Sequence, residues 1–156
     1  MRRLVVNLLI AAVSLGGAES SADRADKVVV NKSIRELQLL KDGRVIRSYK
    51  IALGRNPVGP KQRQGDIKTP EGAYIISGRN STSAYHKIVA DFVSECGRPG
   101  PPGGNTMIHG LPSGQGFIGA AHRLNDWTDG WVAVTDAEIE EIWRPVPDGT
   151  PIQINP

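Results

Sequence analysis

The sequence predicts a mainly β fold with one short C-terminal helix. Short Val- and Ile-rich runs with partial alternation suit pleated, half-buried strands. Eighteen glycines and eleven prolines punctuate those runs and leave little room for long helices. The clearest helix-start signal is Thr135-Asp136-Ala137-Glu138, a capping box just ahead of apolar residues at helical spacing. A chain of 156 residues fits one domain, expected over residues 27–156, and no linker divides it.

Taken in order, Lys27 to Asn31 (KVVVN) and Arg35 to Leu40 (RELQLL) read as strands joined by a polar turn at Lys32 and Ser33. Asp42-Gly43 is a two-residue hairpin signal, and Val45 to Leu53 continues as a third strand, completing an antiparallel meander. Gly54 to Thr69 is a long loop carrying Arg55, Lys61, Arg63 and Lys68 against Asp66. It reads as a solvated basic loop, or as a contact surface for carboxylate-bearing substrates. Ala73 to Ser77 and Lys87 to Val93 are further strands, whereas Gly97 to Asn105 (GRPGPPGGN) cannot be regular structure. Thr106 to His109 is a short buried strand ending at a histidine, and one helical turn is expected near Ala120 to Leu124. Trp131 to Val134 is a strand, the capped helix runs to about Arg144, and Pro151 to Asn155 is the last strand.

The N-terminus has the layout of a secretory signal peptide over residues 1–22. Arg2 and Arg3 precede an apolar stretch from Leu4 to Leu15, and small residues follow to Ala22. That stretch is too short to span a membrane, so no membrane span is expected after cleavage, and the mature chain is placed in the periplasm or cell envelope. Cleavage would remove two arginines from the formal charge of +3, leaving +1, or +2 if Glu19 is also lost. A nearly balanced chain without a nucleic-acid motif gives no ground for nucleic-acid binding. The single cysteine, Cys96, rules out an internal disulfide.

Two segments carry chemistry. One is Gly65-Asp66-Ile67-Lys68-Thr69-Pro70-Glu71-Gly72-Ala73-Tyr74; the other runs from Ile108-His109-Gly110 to Asp126-Trp127-Thr128-Asp129-Gly130-Trp131-Val132-Ala133-Val134-Thr135. Together, in this order and spacing, they resemble the YkuD-type L,D-transpeptidase family, which remodels bacterial peptidoglycan. The resemblance runs from about Val28 to the C-terminus and includes Asp148-Gly149-Thr150-Pro151-Ile152. It implies a β-sandwich-like fold, no cofactor, and peptidoglycan stem peptides as partners. It also implies a cysteine nucleophile activated by an upstream histidine, with an acyl-enzyme resolved by an amine or by water.

By position, His109 matches the histidine base and Gly130 the glycine before the nucleophile. The nucleophile position is Trp131, and an indole offers one N–H and no nucleophile. Many members carry His-Gly-Cys followed one residue later by Arg. Asp129 and Ala133 depart from that but match a branch reading Thr-Asp-Gly-Cys-Ile-Ala-Val, so the loss specific to this chain is at Trp131. The expected substrate groove comprises Gly110, Arg123 and Asp129 around His109.

Other nucleophiles are weaker candidates. Cys96 has nothing that fixes it against His109, and Ser94, Ser113 and Thr128 have less still. His86 reads as an exposed strand-start residue and His122 as part of a surface helical turn; three dispersed histidines lack metal-ligand spacing. Two functions compete. One is a peptidoglycan L,D-transpeptidase or related peptidase whose natural gene encodes an active cysteine enzyme, Trp131 then being a sequencing error or point mutation, since Cys and Trp codons differ by one base. The other is a non-catalytic descendant that binds peptidoglycan, with Trp131 filling the old pocket. A third reading, an exported β-domain unrelated to the cell wall, requires both motif segments to be coincidental.

Overall fold

A computed structural model describes residues 24–94 and 106–156. Residues 1–22, expected to be a signal peptide, lie outside the described residues, as do Cys96 and the Gly97–Asn105 run. Eight strands form: β1 (Lys27–Asn31), β2 (Glu36–Lys41), β3 (Arg44–Lys50), β4 (Gly72–Asn80), β5 (Ile88–Ser94), β6 (Ile108–His109), β7 (Val132–Ala133) and β8 (Pro151–Asn155). A 3₁₀ segment, Gly116–Leu124, precedes β7, and helix α1 (Asp136–Trp143) follows it. The fold is the mainly β architecture with a short C-terminal helix that the sequence predicts.

The order across the sheet is β3-β2-β1-β8-β4-β5-β6-β7. Alternation sets the register. Val28 and Val30 of β1 pair in parallel with Ile152 and Ile154 of β8, and all four side chains are buried with Leu37, Leu39 and Ile76. A one-residue slip would turn that whole apolar set to solvent. The β2–β3 hairpin turns at Asp42 and Gly43, both at positive φ (49° and 72°), the backbone that a two-residue turn matching strand twist requires.

β3 ends earlier than the apolar run suggests. Ile51, Ala52 and Leu53 are fully buried, so they cannot continue a half-exposed edge strand. They leave β2 instead, and Ala52 bridges Ala133 of β7 while Gly54 bridges Thr128. The segment after one end of the sheet order thereby meets the strand at the other end, and the sheet folds over on itself. Asp126 Oδ1 fixes this passage by accepting from the Leu53 amide at 2.9 Å.

Two polar segments differ from their sequence reading. Lys32, expected in an exposed turn, is 3% exposed, and its Nζ donates to Gly59 O, Thr69 O and Glu71 Oε1 at 2.8–3.0 Å. The 54–69 loop is largely exposed, Arg55 and Arg63 included, but several of its cations are engaged. Lys61 is buried against Asp66, Lys68 Nζ donates to Val58 O, and Arg55 pairs with Asp129. Burial works against the Asp66 charge, but Lys61 and the backbone amides of Gln62, Arg63 and Lys68 outweigh it and hold the carboxyl well below the usual carboxylate range. Lys61, through Asp66, and Lys68 therefore organise the loop's own backbone, beneath the turn that carries Gly130.

Candidate active site

His109 closes β6, where Ile108 and His109 pair with Val132 and Ala133 of β7. Its side chain is 0% exposed. Nδ1 lies 2.6 Å from the Gly110 carbonyl oxygen. A carbonyl can only accept, so Nδ1 carries the proton and Nε2 the lone pair. Nε2 is buried and has no partner among the described residues. Gly110 supplies that carbonyl and also space, because a Cβ there would meet Asp136 Oδ1 at 2.8 Å and His86 Cβ at 3.1 Å.

Three aromatic rings enclose the imidazole. Tyr85 stacks obliquely at 4.2 Å between centroids, and Trp131 and Trp127 stand edge-on at 5.5 and 5.7 Å. Such tilted and T-shaped pairs suit the ring quadrupoles. Trp131 is half-buried, its ring set edge-on against that of His109. Its turn is fixed by Thr128, whose Oγ1 accepts from the Gly130 amide at 3.2 Å and donates to the Trp131 carbonyl at 2.7 Å. Gly130 takes φ = 119°, and a Cβ there would lie 2.5 Å from Lys68 O.

Burial is the main cause that pushes the His109 imidazole down to about 4, with the nearby His122 adding to it and the Gly110 bond opposing it. The sign for stability follows. In the unfolded chain the imidazole gains its proton near pH 6.5, whereas the folded site resists until about pH 4. Stability is therefore complete above pH 6.5 and lost as pH falls from there to about 4. At about 1.4 kcal/mol per pH unit, that window is worth roughly 3 kcal/mol. Urea midpoints at pH 7 and pH 4 check it; His109→Phe should flatten the part of the acid loss owed to this ring.

The remaining predicted residues are engaged elsewhere. Arg123 Nη2 is bound to both carboxylate oxygens of Glu138, the residue that completes the α1 capping box. Asp129 is exposed and paired with Arg55. Sequence reasoning missed Tyr85, which the Tyr85–Pro112 bridge brings in, and misread His122. His122 is 7% exposed rather than on a surface turn, and its Nδ1 receives the Trp127 Nε1–H at 3.4 Å. His86 is exposed, as expected, and bonded to Glu140. Among the described residues, no three His, Cys, Asp or Glu gather into a group that could hold a metal ion.

Clefts of about 310 Å³ beside Arg24, Lys41 and Asp148, and of about 180 Å³ beside Lys32, Val58 and Pro156, contain no member of this cluster. Concavity alone would point to them. An orphaned, tautomer-fixed imidazole is the stronger mark of a working site, because natural folds leave few buried polar atoms unsatisfied.

Comparison with known proteins gives the family of this fold. The profile of the YkuD family, described as the L,D-transpeptidase catalytic domain, matches residues 25–154. YafK of Escherichia coli (strain K12), named as an L,D-transpeptidase, is 42% identical over 71 residues, 42% of this chain and 28% of that protein. The helical cell shape determining protein Pgp2 (K307A mutant) of Campylobacter jejuni superposes with a TM-score of 0.62 at 25% identity. That match covers 85% of this chain and 47% of that one. The L,D-transpeptidase (residues 123–326) of Xylanimonas cellulosilytica shares the fold at a TM-score of 0.54 and 18% identity, over 84% of this chain and 60% of that one. The chain thus spans under a third of its curated relative and about half of Pgp2. With the profile matching nearly all of the described fold, the chain belongs to the YkuD family of L,D-transpeptidase catalytic domains.

Proposed function

We propose that this chain is an exported, peptidoglycan-directed member of its family whose acyl-transfer site is disabled at Trp131. The observation that carries the reading is the meeting of His109 and Trp131. An imidazole with its Nε2 lone pair ready to take a proton faces an indole, which has no thiol to give one. His109 takes the role of base, Gly130 shapes the turn before the nucleophile position, and Trp131 occupies that position. Gly110 holds the base's tautomer, while Arg123 and Asp129 border the site through their ion pairs. Binding of stem peptides without turnover is what remains to such a site.

The test is to incubate the full chain with purified peptidoglycan and to read both the bound fraction and the released muropeptides by mass spectrometry. The expected result is binding with an unchanged muropeptide profile, and the same from a Cys96→Ser variant. Turnover by the native chain that vanishes on Cys96→Ser would transfer the nucleophile role to Cys96 and end the proposal.

A further inference from the structure

His122 plays no part in the chemistry above, yet it is buried beside it. The Trp127 indole has one N–H and no acceptor, so His122 Nδ1, 3.4 Å away, must carry a lone pair. Burial first, and then the adjacent Arg123, push the His122 imidazole down, so the ring is neutral and its proton sits on Nε2. That Nε2–H is a buried donor, and no acceptor among the described residues meets it. His109 has the reverse arrangement: its proton is on Nδ1 and its buried Nε2 is an unmet acceptor.

The two rings share one neighbour. Both stand edge-on to Trp127, at 5.7 Å for His109 and 6.3 Å for His122, and a charge on His122 is felt at His109. Each orphaned polar atom is costly in the unliganded chain, because burial removes its hydrogen bonds to water and nothing replaces them. One unmet donor and one unmet acceptor in a single aromatic cluster are the complement of a group that offers both. Arg123 is neutralised by Glu138, and Asp136 adds a further negative charge near His122. A neutral group suits them better than a carboxylate.

We infer that His122 is a second ligand-binding imidazole of this site, donating its Nε2–H to the carbonyl oxygen of a peptide amide whose N–H is offered to His109 Nε2. The inference rests on the proposed function, in which the site receives peptidoglycan stem peptides. It assigns recognition of an uncharged amide to a residue outside the His-Gly and Thr-Asp-Gly motifs. His122 acts by holding the ligand, whatever stands at position 131.

The experiment labels the histidines of the full chain with ¹⁵N and records their ring nitrogens with and without a disaccharide-tetrapeptide muropeptide. Before addition, His109 should be protonated at Nδ1 and His122 at Nε2. On addition, Nε2 of both rings should shift and saturate at one common muropeptide concentration. His122→Phe should weaken binding about tenfold, the loss of one buried hydrogen bond, and His122→Gln, which keeps an N–H donor, should recover most of it. A proton on His122 Nδ1, or a muropeptide that moves His109 alone, overturns the inference while leaving the proposed function standing. A muropeptide that binds neither the native chain nor a Trp131→Cys variant removes the proposed function and the inference with it. The labelled native chain decides the point even where a variant fails to fold.

Discussion

Trp131→Cys, made with Cys96→Ser so that one thiol remains, is expected to raise acyl transfer on peptidoglycan by several orders of magnitude over the native chain. The scale comes from a hydrolase: removing the nucleophile of subtilisin costs on the order of a millionfold in turnover. The reason to expect recovery here is that the partners of the missing thiol are in place. His109 Nε2 is unpartnered, its tautomer is fixed by Gly110, and the Thr128–Gly130 turn sets the backbone that presents position 131. In the step itself the Sγ–H proton passes to His109 Nε2 and sulfur bonds to the amide carbon. The C–N bond then breaks, and the leaving amine takes the proton back.

The same substitution changes the electrostatics of the base. Removing the indole admits water beside His109 and sets a thiolate opposite it, and both raise the imidazole above its present value of about 4. The rate–pH profile of the variant should therefore show an acid limb above pH 4, shared between thiol and imidazole rather than belonging to either. Mass spectrometry of the acyl-enzyme and of the muropeptides reads the outcome. A thiol at 131 that alkylates no faster than free cysteine and forms no acyl-enzyme would mean that His109 is not its base.

The second large effect is on the fold. Gly130→Ala is expected to cost on the order of 4 kcal/mol, a large share of the 5–15 kcal/mol typical of a domain. Two penalties combine. A φ of 119° disfavours any Cβ, and this Cβ would sit 2.5 Å from Lys68 O, a backbone atom anchored beside the Lys61–Asp66 pair. Gly43→Ala separates the terms, because Gly43 also has positive φ (72°) but nothing within 4 Å of its Cβ direction, and should cost about 1 kcal/mol. Denaturant unfolding of both variants gives the comparison. Equal losses would show that the close approach to Lys68 contributes nothing.

These effects mark where the sequence is legible. β1 and β8 are readable to the residue, because every second side chain must enter the core and the pattern has only one register. The start of α1 is equally plain, since Thr135 and Glu138 satisfy each other's backbone within four residues. Motif spacing singles out His109, Gly130 and Trp131, and the fold sets the rings of His109 and Trp131 5.5 Å apart. What escapes is decided by partners far along the chain. Lys32 looks like a turn residue until Glu71, 39 positions away, is folded against it. Ile51 to Leu53 look like strand until Ala133 takes over their pairing. His122 looks like surface because Arg123 beside it is charged, but Glu138 absorbs that charge and lets the turn sink. Tyr85 carries no motif at all and reaches His109 only through tertiary packing.

The place of β8 has a consequence for how the chain is made. The strand nearest the end of the sequence lies in the middle of the sheet, between β1 and β4, and joins the first meander to everything that follows. A ribosome delivers residues in order, so no nascent fragment that stops before Pro151 can zip the two halves together. Long-range closure of this kind is also slow, since the loop between β1 and β8 must lose its entropy before the pairing rewards it. This topology withholds the central pairing until β8 itself has emerged.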